Sequence, residues 1–182
     1  STICGGTSVT YTVVLSDANS CTSTVSASVI VESCTGIHTV LSANNLVSLP
    51  QEIKQLKNLR VLILDNNLLT ELPEWLMEIK NLELLSISNN QLPKLPEGMW
   101  QLVSLTELRV NHNHLSSLPV ELGGLSKLEL LDVSNNNLEE LPAQLRNLKS
   151  LKFLNVSRNH LVAIPKDFTK LIELQQLDAS YN

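Results

Sequence analysis

An asparagine recurs every 23 residues from position 44 to position 182, and this period constrains the fold more than any other feature. Apolar residues keep the same register, so the unit from Leu49 to Leu69 repeats without insertions. A period of roughly 20–29 residues is typical of a stacked solenoid, in which one unit cannot bury its apolar face alone. The ladder positions are Asn44, Asn67, Asn90, Asn113, Asn136, Asn159 and Asn182.

Each unit contains two different apolar spacings. Leu62 and Leu64 are separated by one residue, which places both side chains on one face of a short strand. Leu76, Ile79 and Leu82 are spaced by three residues, which favours a helical or 3₁₀ return segment. The sequence therefore predicts an α/β solenoid with a parallel sheet on its concave side and short helical or 3₁₀ segments on its convex side.

Each ladder asparagine follows a strand, at the point where the chain bends inward. A buried bend leaves backbone N–H and C=O groups without ladder partners, and an inward carboxamide supplies donors and an acceptor for them. We expect the asparagines directly before the ladder, Asn66, Asn89 and Asn135, to be solvated instead. A Leu-Pro or Ile-Pro pair begins five residues after each ladder position up to 159. Because proline presets φ and donates no hydrogen bond, we expect it at the first position of a helical turn.

The unit Leu-Pro-x-x-Leu-x-x-Leu-x-x-Leu-x-x-Leu-x-Leu-x-x-Asn-x-Leu resembles the leucine-rich repeat family over residues 37–182. Its 23-residue Leu-Pro form is most similar to bacterial leucine-rich repeat proteins and to the intracellular Ras-group type of plants and animals. The resemblance implies a horseshoe that binds proteins on its concave sheet and has no enzymatic activity of its own. We expect residues 36–182 to form a domain of about seven repeats, the last one incomplete, within a fragment of a longer protein.

Residues 1–35 differ in kind, since they contain no Lys or Arg and are rich in Ser and Thr. Residues 9–15 have strand composition, residues 16–20 are turn formers, and residues 21–31 alternate again. We therefore expect a small β segment, a hairpin, ahead of the repeats. The stretch from Tyr11 to Val29 resembles the closing strands of Ig-like or PKD-like repeats in large bacterial surface proteins, which implies the end of such a module. A low-complexity linker is the alternative.

All three cysteines, Cys4, Cys21 and Cys34, lie in this first segment. Their segregation favours a disulfide in an oxidising compartment over a metal site, which would need closer Cys-x₂-Cys spacing. A bridge between Cys4 and Cys21 fits a tie between two strands. Cys34 could instead fasten the entry to the first repeat.

The residues that flank the inward-pointing strand positions must point out of the concave sheet. One apolar patch on this face surrounds Leu84, and a second consists of Leu130 and Phe153, with charged residues between them. Apolar groups ringed by polar ones favour a protein-binding surface, whereas β propensity alone is the alternative explanation. The predicted ligand-binding residues are Val61, Ile63, Leu84, Glu107, Arg109, Leu130, Asp132, Phe153 and Asn155.

No catalytic or metal-binding constellation is apparent in the sequence. His112 and His114 have no Cys or carboxylate to complete a metal shell, so we interpret them as surface histidines. We expect Glu107, Arg109 and Asp132 to pair with one another rather than to act as acid and base. There is no phosphate-binding glycine loop and no Gly-x-Ser-x-Gly motif. We therefore predict no enzyme activity, cofactor or metal.

The net charge of −5 argues against a nucleic-acid partner, which would favour a basic stripe. No apolar run approaches the roughly 18 residues of a membrane span. The leading prediction is a noncatalytic module that binds a protein ligand, such as a host or cell-surface protein, within a bacterial surface or secreted adhesion protein. The alternative is a cytoplasmic scaffold or the sensor region of a larger signalling protein such as a GTPase. An inert concave face would indicate a structural spacer.

Overall fold

The computed structural model describes residues 7–16, 22–31, 37–49 and 51–182, with side chains placed for residues 38–49 and 51–182. Strands β1 (Thr7–Ser16) and β2 (Thr22–Val31) pair antiparallel along their whole length. They are the small β segment expected ahead of the repeats. The disulfide predicted between Cys4 and Cys21, and the alternative use of Cys34, lie outside the described residues.

The repeats form one parallel sheet of seven strands in chain order. Each strand is one repeat further along the chain than its neighbour, and from His38 onward each residue pairs with its equivalent in the next repeat. A register shift between Ile37 and His38 interrupts this pattern at the start of the first strand. The strands are β3 (Ile37–Val40), β4 (Leu59–Ile63), β5 (Leu84–Ser86), β6 (Glu107–Arg109), β7 (Leu130–Asp132), β8 (Phe153–Asn155) and β9 (Gln176–Asp178).

A short 3₁₀ helix returns the chain along the opposite side in each repeat. Leu76 donates its N–H to Pro73, Ile79 to Leu76, and Leu82 to Ile79, so the three-residue apolar spacing matches the three residues per turn of this helix. The predicted solenoid, with a parallel sheet on one side and short 3₁₀ segments on the other, is thereby confirmed. The helices are η1 (Gln51–Gln55), η2 (Glu74–Glu78), η3 (Glu97–Gln101), η4 (Val120–Gly124), η5 (Ala143–Asn147) and η6 (Lys166–Lys170).

The core lies between the sheet and the helices and consists almost wholly of leucine. Leu85 and Ile87 point inward from β5 and its continuation, and Leu76 and Leu82 meet them from the return segment; all four side chains are fully buried. Burial of a leucine side chain contributes about 1.5–3 kcal/mol. Because the same slots recur in every repeat, each layer of the core is covered only by its two neighbours.

The ladder asparagines join successive repeats through their side chains. The Asn113 Nδ2 donates to the carbonyls of Ile87 and Val110, at 2.9 and 3.1 Å, and its Oδ1 accepts the N–H of Leu92 at 3.0 Å. Asn67, Asn90, Asn136 and Asn159 repeat this arrangement and are buried as well. The carboxamides therefore satisfy backbone groups that the bend removes from the sheet.

The backbone differs from the sequence interpretation at two positions of the repeat. The residue before each ladder asparagine lies in the left-handed region, with φ between 52° and 58°. Asn66 and Asn89 are exposed as expected, but Asn135 is half-buried. The proline of each Leu-Pro pair lies one position earlier than expected, at the N-cap of its 3₁₀ helix, as for Pro73 with φ −69° and ψ 142°. Its carbonyl there accepts the first hydrogen bond of the helix.

Candidate functional site

The concave face carries two aligned columns of outward-pointing side chains. The first follows the pairing from Val61 through Leu84, Glu107 and Leu130 to Phe153. The second, one position beyond the inward-pointing residue, contains Ile63, Ser86, Arg109, Asp132, Asn155 and Asp178. Neighbouring strands of a sheet are about 4.8 Å apart, so each column is a continuous row.

The predicted ligand-binding residues all lie on this face, with different exposures. Phe153 is 40% exposed and Arg109 is exposed too. The remaining seven are half-buried: Val61, Ile63, Leu84, Glu107, Leu130, Asp132 and Asn155.

A cavity of about 510 Å³ lies on the concave face, with a lining that runs from Asp65, just after β4, to Asp178 in β9. Leu130 and Phe153 form its apolar part, and Arg109, Asp132 and Asn155 are also in its lining. The first apolar patch, around Leu84, is outside this cavity. The cavity lining therefore includes five of the nine predicted residues and leaves out the other four.

Arg109 lies beside Glu107 on strand β6, with 2.5 Å between its Nε and Glu107 Oε1. Oε1 makes no hydrogen bond among the described residues, so this contact is an ion pair without hydrogen-bond geometry. Asp132 is not part of it, although the sequence interpretation grouped all three. Its Oδ1 accepts the Ser134 N–H at 3.0 Å and the Ser134 hydroxyl at 2.7 Å. Asp132 therefore keeps a negative charge that no cation within the described residues pairs with.

The same local motif is present on strands β8 and β9. The Oδ1 of Asn155 accepts the Ser157 N–H and hydroxyl at 3.1 and 2.7 Å. The Oδ1 of Asp178 accepts both groups of Ser180 at 3.0 and 2.7 Å. The serine two residues further along thus holds each short side chain through its Oδ1. The second polar atom of each side chain makes no hydrogen bond to a described residue.

The pKa of Asp178 is held below its ordinary value mainly by the hydrogen bond from the Ser180 backbone N–H, and next by the hydrogen bond from the Ser180 hydroxyl. The charge of Arg158 acts in the same direction. Arg158 itself stacks on Tyr181, with its guanidinium carbon 4.7 Å from the ring centroid. Asp178 is consequently ionised throughout the physiological pH range.

Several residues of the cavity were absent from the predicted site. Asp65, Asp178 and Gln176 line it, as do the polar Ser88 and Asn111. Asp65 accepts hydrogen bonds at its Oδ1 from the Ser86 hydroxyl and the Ser88 N–H, both at 2.7 Å. The recurring Asp-x-Ser or Asn-x-Ser at residues 132–134, 155–157 and 178–180 was the available signal.

The described residues contain no group of three or more His, Cys, Asp and Glu side chains placed to hold a metal ion. His112 and His114 are exposed. A second groove, of about 1120 Å³, follows the Leu-Pro edge from Leu72 to Val120. Within the part of the chain that the structure describes, no helix has both the length and the apolar character that crossing a bilayer requires.

An open parallel sheet, one 3₁₀ helix per repeat and a buried asparagine ladder define a solenoid repeat protein. The family model for the leucine rich repeat matches residues 40–92, 73–115, 103–161 and 126–182. This chain belongs to the leucine-rich repeat family. No curated protein matches the chain by sequence.

Solved structures of the same fold come from bacteria, plants and animals. A leucine-rich repeat protein of Leptospira interrogans is 34% identical with a TM-score of 0.73, over 78% of this chain and 42% of that one. The ectodomain of the Arabidopsis thaliana receptor kinase GASSHO1/SCHENGEN3, solved with CASPARIAN STRIP INTEGRITY FACTOR 2, is 34% identical with a TM-score of 0.69, over 74% of this chain and 17% of that one.

The Drosophila Toll–Spatzle complex also matches, at 26% identity and a TM-score of 0.69, over 76% of this chain and 22% of the other. This chain thus spans less than half the length of each of these three proteins. The repeats of this chain are thus structurally similar to those of protein-binding receptor ectodomains.

Proposed function

We propose that this chain is a noncatalytic protein-binding module that holds its ligand on the concave face. The observation that carries the proposal is the pair Leu130 and Phe153, which lies open in the floor of the 510 Å³ cavity. Water-exposed apolar side chains inside a polar rim are the usual centre of a protein interface, since burying them on binding is favourable. Similarity to receptor ectodomains solved with protein or peptide ligands supports the same conclusion.

The setting that we propose is a bacterial cell-surface or secreted adhesion protein. The 23-residue Leu-Pro repeat and the 34% identity to a Leptospira interrogans repeat protein support a bacterial source. We also propose that residues 1–35 end an Ig-like or PKD-like module and that residues 36–182 are the repeat domain. In this arrangement the first segment is a stalk and the solenoid is the ligand-binding head. The alternative is a cytoplasmic scaffold or the sensor region of a larger signalling protein.

Binding is tested with the double variant Leu130→Ala/Phe153→Ala. The wild-type chain should capture a protein ligand from cell-surface extracts, and the variant should not. Truncating a central hot-spot residue of an interface costs more than about 1 kcal/mol of binding free energy. The matched control is Val103→Ala/Val120→Ala, which truncates two half-exposed apolar residues that are absent from the cavity lining. Equal capture by both variants would overturn the concave-face assignment.

The compartment is tested through the cysteines. Intact mass before and after reduction counts disulfides, because each bridge gains two hydrogens. A bridge in protein purified from its native source supports the extracellular setting. Three free thiols would favour the intracellular alternative and leave the concave-face proposal intact.

A further inference from the structure

The concave cavity carries a negative charge in addition to its apolar residues. Asp65, Asp132 and Asp178 are in its lining, and Arg109 is the one cation there among the described residues. Arg109 is already paired, because its Nε is 2.5 Å from Glu107. The cavity therefore presents three carboxylates and no unpaired cationic side chain in its lining; Arg158, whose charge acts on Asp178, lies outside the lining and stacks on Tyr181.

All three carboxylates accept two hydrogen bonds each, and two of them, Asp132 and Asp178, also lie in one column of the concave face. Ser134 and Ser180 each donate two hydrogen bonds to one oxygen of Asp132 and Asp178, respectively. The other oxygen of each makes no hydrogen bond to a described residue. A carboxylate held in one orientation loses less conformational entropy when it binds. These oxygens are therefore preorganised acceptors for a cationic donor.

The sheet register sets the distance between them. Asp132 pairs with Asn155, and Asn155 with Asp178, on consecutive strands. Two strand spacings amount to about 9–10 Å. In a polyproline II segment, residues i and i+3 lie on the same side and about 9 Å apart. In a β-strand, residues i and i+2 share a side at only about 7 Å. The polyproline II spacing matches and the β spacing does not.

We propose that the concave cavity binds an extended peptide segment that carries two basic residues at positions i and i+3. Their cationic groups pair with Asp132 and Asp178, and an adjacent apolar side chain covers Leu130 and Phe153. This inference rests on the proposed function and adds the chemistry of its partner. The same carboxylates repel a ligand that carries acidic residues at these positions.

The chain itself supplies a substitution that removes the charge and keeps the structure. Asn155 occupies the equivalent position and accepts the same two serine hydrogen bonds through its amide oxygen. Asp132→Asn and Asp178→Asn should therefore fold normally while losing the negative charge. The matched control is Asp167→Asn/Glu173→Gln, which changes net charge equally at two residues that do not line the cavity.

The test begins with a displayed library of random linear peptides selected on the whole chain. We expect selected peptides to carry Lys or Arg at i and i+3. A synthetic peptide of that type should bind at least about tenfold more weakly to Asp132→Asn/Asp178→Asn, because a charged hydrogen bond is lost at each site. The control variant should bind like the wild type. Added salt should weaken binding as well.

The outcomes separate this inference from the proposed function. Peptides that require Leu130 and Phe153 but show no paired basic residues overturn the basic-peptide inference and leave the protein-binding function standing. Peptides that bind equally to Leu130→Ala/Phe153→Ala overturn both. A selection that enriches nothing over empty matrix overturns the inference, and the capture experiment then decides the function.

Discussion

At the scale of single residues, the ladder asparagines join every repeat to the next. Asn113 is 5% exposed and bonds backbone groups of its own repeat and of the preceding one. A buried hydroxyl or leucine at this position could not supply both donors and an acceptor in that geometry. The asparagine therefore has a structural role that no other residue type fills equally well.

We expect Asn113→Ala to lower the free energy of unfolding by at least about 2 kcal/mol. The change leaves the buried Leu92 N–H without its partner, which costs about 1–3 kcal/mol. It also removes one hydrogen bond, worth about 0.5–1.5 kcal/mol, from the Ile87 carbonyl, which keeps the bond from the Asn90 Nδ2. Chemical denaturation measures the difference. Asn182→Ala is the control: it removes the same side chain at an exposed position, where water replaces the lost bonds. Equal losses in both variants would contradict the role assigned to burial.

The inward carboxamide was predictable from the sequence, because a polar residue at a fixed interval inside an apolar repeat must satisfy buried backbone groups. The left-handed residue before it was not. Four residues with no chemistry in common adopt φ of 54–58° at this position: Ala43, His112, Arg158 and Tyr181. Asn66, Asn89 and Asn135 are of a type that favours this region, but most of the other four are not, so the bend sets the conformation and side-chain type is an incomplete signal for it.

At the scale of elements, the return helices pack against one another across the convex side. Gly123 lies in η4 where that helix approaches η5 most closely, since a Cβ there would be 2.3 Å from the Gln144 carbonyl oxygen. The neighbouring contact is backbone and cannot rotate away. The missing side chain is what permits this helix spacing.

Gly123→Ala should destabilise the protein by about 1–3 kcal/mol, the usual cost of overpacking. Gly98→Ala is the matched control in η3, because its Cβ would be 3.3 Å from two side-chain atoms, Gln101 Nε2 and Met77 Cγ, rather than against backbone. That variant should change the free energy of unfolding by about 0.5 kcal/mol or less. Thermal melts of the two variants make the comparison, and a neutral Gly123→Ala would show that the helices can separate freely.

Helices η5 and η6 are also joined by charge. Arg146 donates a hydrogen bond to Asp167, which lowers the pKa of Asp167, and Lys170 at 3.5 Å adds to the effect. A depressed folded pKa contributes stability above about pH 4, the ordinary aspartate value, and loses it as pH falls through the folded pKa. Arg146→Gln should raise the pKa of Asp167 toward its ordinary value and reduce this acid-side loss. A carboxyl carbon NMR titration measures it; an unchanged pKa would assign the shift to Lys170.

The spacing alone predicted a strand where apolar residues recur every second position and a helical or 3₁₀ return segment where they recur every third. It did not decide between an α-helical and a 3₁₀ return, which the structure shows to be 3₁₀. The exact position of proline did not follow. In Pro73 the ring nitrogen lies outside the helix and its carbonyl accepts the first hydrogen bond. Both N-cap and first-turn positions tolerate a missing N–H, so the sequence could not distinguish them. The η4–η5 approach at Gly123 depends on packing between repeats, which the sequence pattern does not encode.

At the scale of the whole molecule, the columns of the concave face followed from the repeat period, because the register of one strand fixes all the others. The cavity did not follow. Its lining mixes residues of several columns, from Asp65 to Asp178, and leaves out Val61, Ile63 and Leu84 of the same columns. Aligning the repeats with one another identifies the outward-pointing residues of each column separately. It does not show which residues of different columns line one cavity.

Stability in a solenoid is carried by contacts between neighbours, so the position of a defect should matter as much as its chemistry. Leu41 lies beside β3 at one end of the seven-stranded sheet and is 4% exposed, whereas Leu131 lies in β7, with four strands on one side and two on the other, and is fully buried. Each change to Ala removes the same buried atoms and costs about 2–5 kcal/mol locally.

We expect Leu131→Ala to lower the midpoint of global unfolding, because the defect interrupts the stack on both sides. Leu41→Ala should instead raise amide exchange in β3 and β4 and leave β7 to β9 protected, since an end repeat can open alone. Hydrogen exchange resolved by segment distinguishes the two. If Leu41→Ala raised exchange equally in β9, the repeats would unfold as one unit, and coupling would extend beyond nearest neighbours.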